Sequence, residues 1–162
     1  MFKKQLTFGK VLVFLLIAFL VAFALYSVSV IIDFVKIFDD DCLSKNEIVK
    51  VVKENYQVIL DDVAESNFSD SEKIKGIQKI TVVSDAIDFD CGGKGFGPAT
   101  SFFGFYYTPD DKPRNVWSGT LFGDIEDLTP DGDGYSIKEL DGDNLYYTEK
   151  IADYFYRYEA YF

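Results

Sequence analysis

The stretch SKNEIVKVVKENYQVILDDVA, Ser44 to Ala64, decides the fold class of this chain. Ile48, Val51, Val52, Tyr56, Ile59, Leu60 and Val63 recur at three- and four-residue intervals, which places one apolar stripe along a helix. Ser44-Lys45-Asn46-Glu47 fits the S-x-x-E capping box, in which Ser44 accepts from the Glu47 amide and the Glu47 carboxylate reaches back. Lys45, Lys50, Lys53, Glu54, Asp61 and Asp62 fill the polar positions. Such a helix must bury its stripe against something.

Beyond this helix the chain reads as strands. Lys75 to Val83 is rich in Ile, Val and Thr, and the pattern continues through Ala86 to Cys91 after a kink at Ser84-Asp85. Gly92 to Pro98 reads as a flexible loop, Thr100 to Thr108 as a second strand, Pro109 to Pro113 as a turn and Trp117 to Phe122 as a third strand. Asp124 to Gly134 reads as an acidic loop. Tyr135 to Leu140 and Leu145 to Ile151 flank Asp141-Gly142-Asp143-Asn144, whose residues tolerate the positive φ of a hairpin turn. Phe155 to Phe162 alternates as a strand, with a helix starting at Thr148 as the rival. One helix followed by strands predicts an α+β fold, an amphipathic helix packed on an antiparallel sheet of about 5–6 strands. A cystatin-like wrap of sheet around helix fits that order, and fold analogy carries no function.

Upstream lies VLVFLLIAFLVAFALYSVSVII, Val11 to Ile32, without a charge. As a helix it spans about 33 Å, close to the hydrocarbon thickness of a bilayer. Lys3, Lys4 and Lys10 precede it, and acids lie downstream. The positive-inside bias therefore predicts a single-pass anchor with a cytoplasmic tail at 1–10 and the remainder outside. The rival is a cleaved signal peptide, since Ala22-Phe23-Ala24 resembles a cleavage site, but the apolar run continues eight residues past it. Residues 33–43 read as an acidic stalk and 44–162 as the extracytoplasmic domain.

Three lysines and no acid among the first 32 residues leave the remainder at −14 against −11 for the whole chain. So acidic a domain is repelled by phosphate backbones, which argues against nucleic acid as a partner. The chain has no histidine, which removes Ser-His and Cys-His nucleophilic systems and H-E-x-x-H zinc sites. No cofactor motif is present. Cys42, just before the helix, and Cys91, at a strand end, suggest a structural disulfide in an exported domain. Gly92 to Gly97 lacks the G-K-[ST] of a phosphate loop.

Asp124, Glu126, Asp127, Asp131, Asp133, Asp141 and Asp143 crowd one region. Read from Asp131 the EF-hand register fails, with Ser136 at the sixth position and Gly142 at the twelfth, so Asp127, Asp131 and Asp133 remain weak calcium candidates. The same acids could form the carboxylate pair of a small cell-wall hydrolase, with Asp124 and Asp127 as the residues to test. Among the tyrosines and the single tryptophan, Tyr106, Tyr107, Trp117, Tyr146 and Tyr147 are the candidate ligand-facing rings. Alternation along a strand must turn one member of each adjacent pair outward.

The segments YYTPDDKP (Tyr106 to Pro113) and DGDNLYYTEKI (Asp141 to Ile151) resemble stretches in small uncharacterised exported or membrane-anchored proteins of Gram-positive bacteria. That resemblance implies a cell-surface location and no activity, cofactor or catalytic residue. The expectation is a membrane-anchored, non-enzymatic module that binds a protein or cell-envelope component. A small carboxylate-dependent wall hydrolase and a calcium-responsive surface domain are the alternatives.

Overall fold

The computed structural model describes residues 8–37, 42–96, 99–117, 128–139 and 142–162. The chain divides into two compact units, Met1–Asp39 and Asp40–Phe162.

The first unit is helix α1, Phe8–Ile37. Its Val11–Val30 window has a mean hydropathy of 2.9 and no buried residue, so it is long and apolar enough to cross a membrane. Signal anchors and signal sequences share these properties. The helix runs past both ends of the expected 11–32 span and takes in residues 33–37 of the expected stalk, because no Pro or Gly stops it there.

The second unit is α+β. Helix α2, Lys45–Glu65, opens with the predicted capping box. The Glu47 carboxylate accepts the Ser44 backbone N–H at 2.9 Å and its hydroxyl at 2.6 Å. The helix ends at Ser66 in the left-handed region. One apparent polar position is in fact interior: Asp62 is buried and accepts the Ser71 backbone N–H at 2.7 Å.

Among the described residues the unit holds seven antiparallel strands: β1 Lys79–Val83, β2 Ala86–Phe96, β3 Ala99–Tyr107, β4 Thr129–Asp131, β5 Gly134–Lys138, β6 Leu145–Ala152 and β7 Phe155–Tyr161. Their order across the sheet is β1-β2-β3-β7-β6-β5-β4, so two meanders meet at the central pair β3 and β7. The count exceeds the expected 5–6 for physical reasons visible in the chain. The kink at Ser84-Asp85 is a full hairpin, with Ser84 at φ 56°. Gly92 to Phe96 continues β2 through a bulge after Asp90 instead of forming a loop. Part of the expected acidic loop is the β4–β5 hairpin, turning at Gly132 with φ 59°. Trp117 lies in a bend rather than a strand, and the rest of that expected strand, 118–122, lies outside the described residues, as do Asp124 to Asp127. The final segment is a strand, paired with both β3 and β6.

Both faces of the sheet are covered, which explains why β7 is buried along most of its length. On one face Ile48, Val52 and Ile59 of α2 pack with Phe89, Phe103, Phe105 and Phe155. Each of the fully enclosed side chains contributes about 1.5–3 kcal/mol of burial. The other face carries Tyr106, Tyr146, Tyr156, Tyr158 and Ala160 with Val116 and Ile137. The segment 108–117 runs over this face and is tied to it by phenols. Tyr106 accepts the Arg114 N–H at 2.8 Å, Tyr146 donates to the Arg114 carbonyl at 2.8 Å, and Tyr156 donates to the Asp111 carbonyl at 2.7 Å. Inside the sheet Tyr106 donates to Thr148, which donates to the Arg157 carbonyl at 2.9 Å. The hydroxyls of Tyr106, Tyr146 and Tyr156 are thus satisfied by backbone groups of the covering segment, so these tyrosines can do core work here.

Candidate functional site

The β6–β7 hairpin turns at Asp153-Tyr154, and Tyr154 sits at φ 66°. A left-handed backbone costs a residue with a β-carbon roughly 1–2 kcal/mol, and Gly or Asn ordinarily takes such a turn position. Ser66, Ser84 and Asp111 are the other described non-glycine residues with positive φ, and all three are small and polar. Tyr154 is bulky, and 41% of its surface is open to solvent.

Two further tyrosines meet it. The Tyr107 ring lies 6.1 Å from that of Tyr154, tilted by 37°, and meets Phe155 edge-on at 5.6 Å. Tyr56, from the middle of α2, meets Phe155 edge-on at 5.5 Å, and its hydroxyl reaches the Asp153 carbonyl at 3.4 Å. Tyr56, Tyr107 and Tyr154 thus form a partly exposed shelf around the buried ring of Phe155. Burial raises the Tyr107 phenol pKa, with smaller contributions from Tyr154 and Tyr56.

Asp111 holds the strained turn in place. Its carboxylate accepts the Tyr154 backbone N–H at 2.9 Å and the Lys150 ammonium, while the Thr108 N–H donates to the Tyr154 carbonyl at 2.9 Å. The Lys150 hydrogen bond keeps the Asp111 carboxyl below its ordinary pKa. Lys150 also pairs with Asp153 at 3.2 Å.

A second cluster lies on the face covered by 108–117. Gly104 stands in register between Asp90 of β2 and Tyr158 of β7, and a β-carbon there would meet the Tyr158 hydroxyl and the Phe89 carbonyl at 2.6 Å each. The missing side chain lets the Tyr158 ring lie across β3 towards β2. There Asp88 Oδ1, the Tyr158 hydroxyl and Trp117 Nε1 are enclosed without a hydrogen bond of normal geometry. Burial pushes the Asp88 carboxyl up to about 7, Tyr158 opposes the shift and Asp90 adds to it.

At the other end of the helix-side face, Glu149 accepts from Arg157 Nε and from Lys45 of α2, both at 2.7 Å. The Tyr147 hydroxyl donates to Glu149 at 2.8 Å, and Arg157 also pairs with Glu159. Burial opposes the charge on Glu149, but these donors prevail and hold it at about 2. Glu149 is therefore ionised throughout the working range and cannot serve as a general acid.

The rings singled out from the sequence divide between these regions. Tyr106 and Tyr146 are fully buried and present nothing to solvent, because they are the inward members of their pairs on the covered face. Trp117 is half-buried against Phe102, with centroids 4.5 Å apart. Tyr147 lies beneath the Arg157 guanidinium, 5.4 Å from its ring centroid. Tyr107 alone joins the exposed shelf. Tyr154 and Tyr56, the other two rings of the shelf, are not among the five rings singled out from the sequence; the legible signal for Tyr154 is an Asp-Tyr pair in a turn between two alternating runs.

No disulfide joins Cys42 and Cys91. Cys91 points into the helix-side core and donates weakly to the Phe89 carbonyl, and Cys42 lies half-buried at the margin of that core. The helix entrance is tied to β2 instead by the Leu43 N–H, which donates to the Cys91 carbonyl at 3.2 Å. Burial raises the Cys91 thiol pKa far above its ordinary value. Of the calcium candidates, Asp131 and Asp133 are exposed in the β4–β5 hairpin and Asp127 lies outside the described residues. Among the described residues no group of three His, Cys, Asp or Glu side chains could hold a metal ion.

No protein-family model, no curated protein and no solved structure matches this chain.

Proposed function

We propose that this chain is a single-pass, membrane-anchored module that binds a protein or cell-envelope component outside the cytoplasm, without catalysing a reaction. The observation that carries the reading is Tyr154: a large ring, held in solvent by an unfavourable backbone conformation that the surrounding hydrogen bonds enforce. Strain of this kind is retained where a side chain must be presented, and exposed aromatic rings suit recognition. The exposed apolar helix α1 and the lysines before it support the anchor and its orientation.

A photo-crosslinking residue at position 154 of the full chain in living cells tests this, with position 82 as the control, since Val82 is exposed elsewhere on the domain. A discrete adduct at 154, absent at 82 and lost when Tyr107→Ala is added, is the expected result. Adducts no stronger at 154 than at 82 would count against it.

A second reading, a small carboxylate-dependent wall hydrolase, draws on Asp88, a carboxyl whose pKa burial raises to about 7, beside Asp90. Turnover of wall fragments by the full chain, abolished by Asp88→Asn, would favour it. No turnover across such fragments retires it.

A further inference from the structure

The segment 108–117 is a strap fastened unevenly over the tyrosine face. From Thr108 to Arg114 hydrogen bonds tie it down, to the Tyr154 turn and to the phenols of Tyr106, Tyr146 and Tyr156. The Arg114 guanidinium adds ion pairs to Asp85 and Asp110, at 3.0 Å each. The far end packs through apolar groups. Val116 is buried among the tyrosines, and the Trp117 ring lies 4.5 Å from Phe102 and 5.3 Å from Phe162.

Beneath that end lies Asp88. The Tyr158 hydroxyl is the neighbour common to Asp88 and to Trp117 Nε1, and these polar atoms are enclosed without a hydrogen bond of normal geometry. Thr81 of β1 and Tyr106 of β3 stand in register with Asp88, and Lys79 of β1 stands in register with Asp90. Asp90 disfavours a charge on Asp88 and Lys79 favours it, each less strongly than burial opposes it. Tyr146 of β6 and Tyr158 of β7 stay neutral, because burial lifts both phenols well above their ordinary range. Arg114, the cation of the strap, is engaged by Asp85 and Asp110. Among the described residues no cation forms an ion pair with Asp88.

A buried carboxylate without a cation is costly, and two events relieve it: the group keeps its proton, or water reaches it. Water enters most readily where the cover is held by packing, since the part from Thr108 to Arg114 can open only by breaking hydrogen bonds and ion pairs. We infer that the Trp117 end of the strap is a proton-gated cover, closed over β2 while Asp88 carries its proton and lifted when that proton passes to solvent. Arg114 is the point about which the end swings. Lifting hydrates the carboxylate and presents the rings of Trp117, Phe102 and Phe162. With the Asp88 pKa at about 7, the change falls between about pH 6 and pH 8. This gate is separate from the Tyr154 shelf, so either can fail without the other.

Acrylamide quenching of the single tryptophan tests it, with the full chain in non-ionic detergent micelles and far-UV circular dichroism as the check on folding. The quenching constant should rise about twofold or more between about pH 5.5 and pH 8.5 while the circular dichroism stays unchanged. Asp88→Asn should keep the low-pH value throughout. Lys79→Gln, on the exposed edge of β1, should keep the rise and move its midpoint to higher pH, because Lys79 favours the ionised carboxyl. A quenching constant indifferent to pH overturns the inference, as does a rise that Asp88→Asn retains. A midpoint that Lys79→Gln moves to lower pH also overturns it, and so does a rise accompanied by loss of the circular dichroism signal, which would be unfolding of the whole domain.

Discussion

Replacing Asp88 by asparagine isolates a carboxyl that burial keeps partly protonated at neutral pH. Its pKa rises from an ordinary 3.8 to about 7, chiefly because burial disfavours the charge. The folded state therefore holds this proton more tightly than the unfolded chain. Its protonated form costs nothing below about pH 4, and stability falls as pH climbs towards 7, levelling off above that. A rise of this size corresponds to roughly 4 kcal/mol, an upper figure because Asp88 retains some contact with solvent. Asparagine has a similar shape and no charge to bury. Asp88→Asn should match the natural chain at about pH 4 and exceed it by about 2–4 kcal/mol at pH 8. Urea unfolding of the full chain in micelles, followed by the emission of its single tryptophan, reads this directly, because Trp117 adjoins the same cluster. With a slope of about 1–3 kcal/mol/M, the midpoint difference at pH 8 should be on the order of 1–2 M. The comparison between variants cancels the general effect of the other acids. A difference that is equal at pH 4 and pH 8, or a variant less stable at pH 8, would refute the burial of an orphaned carboxyl.

Arg157→Met should destabilise the domain by about 1–3 kcal/mol, because Glu149 loses one charged partner while keeping Lys45 and Tyr147, and a double-mutant cycle with Glu149→Met in urea measures the coupling. Gly104→Ala should cost at least about 1–3 kcal/mol through the clash with the Phe89 carbonyl, and an unchanged melting curve would contradict the close approach of Tyr158. Tyr154→Gly should stay within about 1 kcal/mol of the natural chain, since relief of the left-handed strain offsets glycine's entropy and the lost ring contact; a loss above about 2 kcal/mol would make the ring a structural element. Cys91 should resist alkylation until the chain is unfolded, whereas Cys42 should react in the folded state; mass spectrometry after maleimide treatment distinguishes them.

Helix α2 is legible in the sequence because its signals are local: a capping box in four residues and a stripe at helical spacing. Strand identity is legible for the same reason in β3, β5, β6 and β7. Strand boundaries are less so where one turn residue has two readings. Ser84 reads as a kink unless its positive φ is known, and the glycines after Asp90 read as a loop although they continue β2 past a bulge. The site depends on information that the sequence does not carry locally. Alternation shows that one tyrosine of each pair faces each side, but both sides of this sheet are covered. Tyr106 and Tyr146 are therefore consumed by the core, where their hydroxyls bind the backbone of 108–117. Tyr154 escapes that fate because it lies in a turn, and its neighbours Tyr56 and Tyr107 are 98 and 47 positions away in the chain. Burial of Asp88 likewise arises from register, through Gly104 admitting the Tyr158 ring.

Binding outside the cytoplasm requires the domain to lie there, so its compartment is the decisive measurement. Intact cells producing the full chain with Val82→Cys, a position 63% exposed, would be treated with a membrane-impermeant maleimide and compared with lysed cells. Labelling at position 82 in intact cells, equal to that after lysis, is the predicted result for an anchored module facing outward. Labelling that appears only after lysis would place the domain in the cytoplasm and contradict both the orientation of the anchor and binding to a partner outside the cytoplasm.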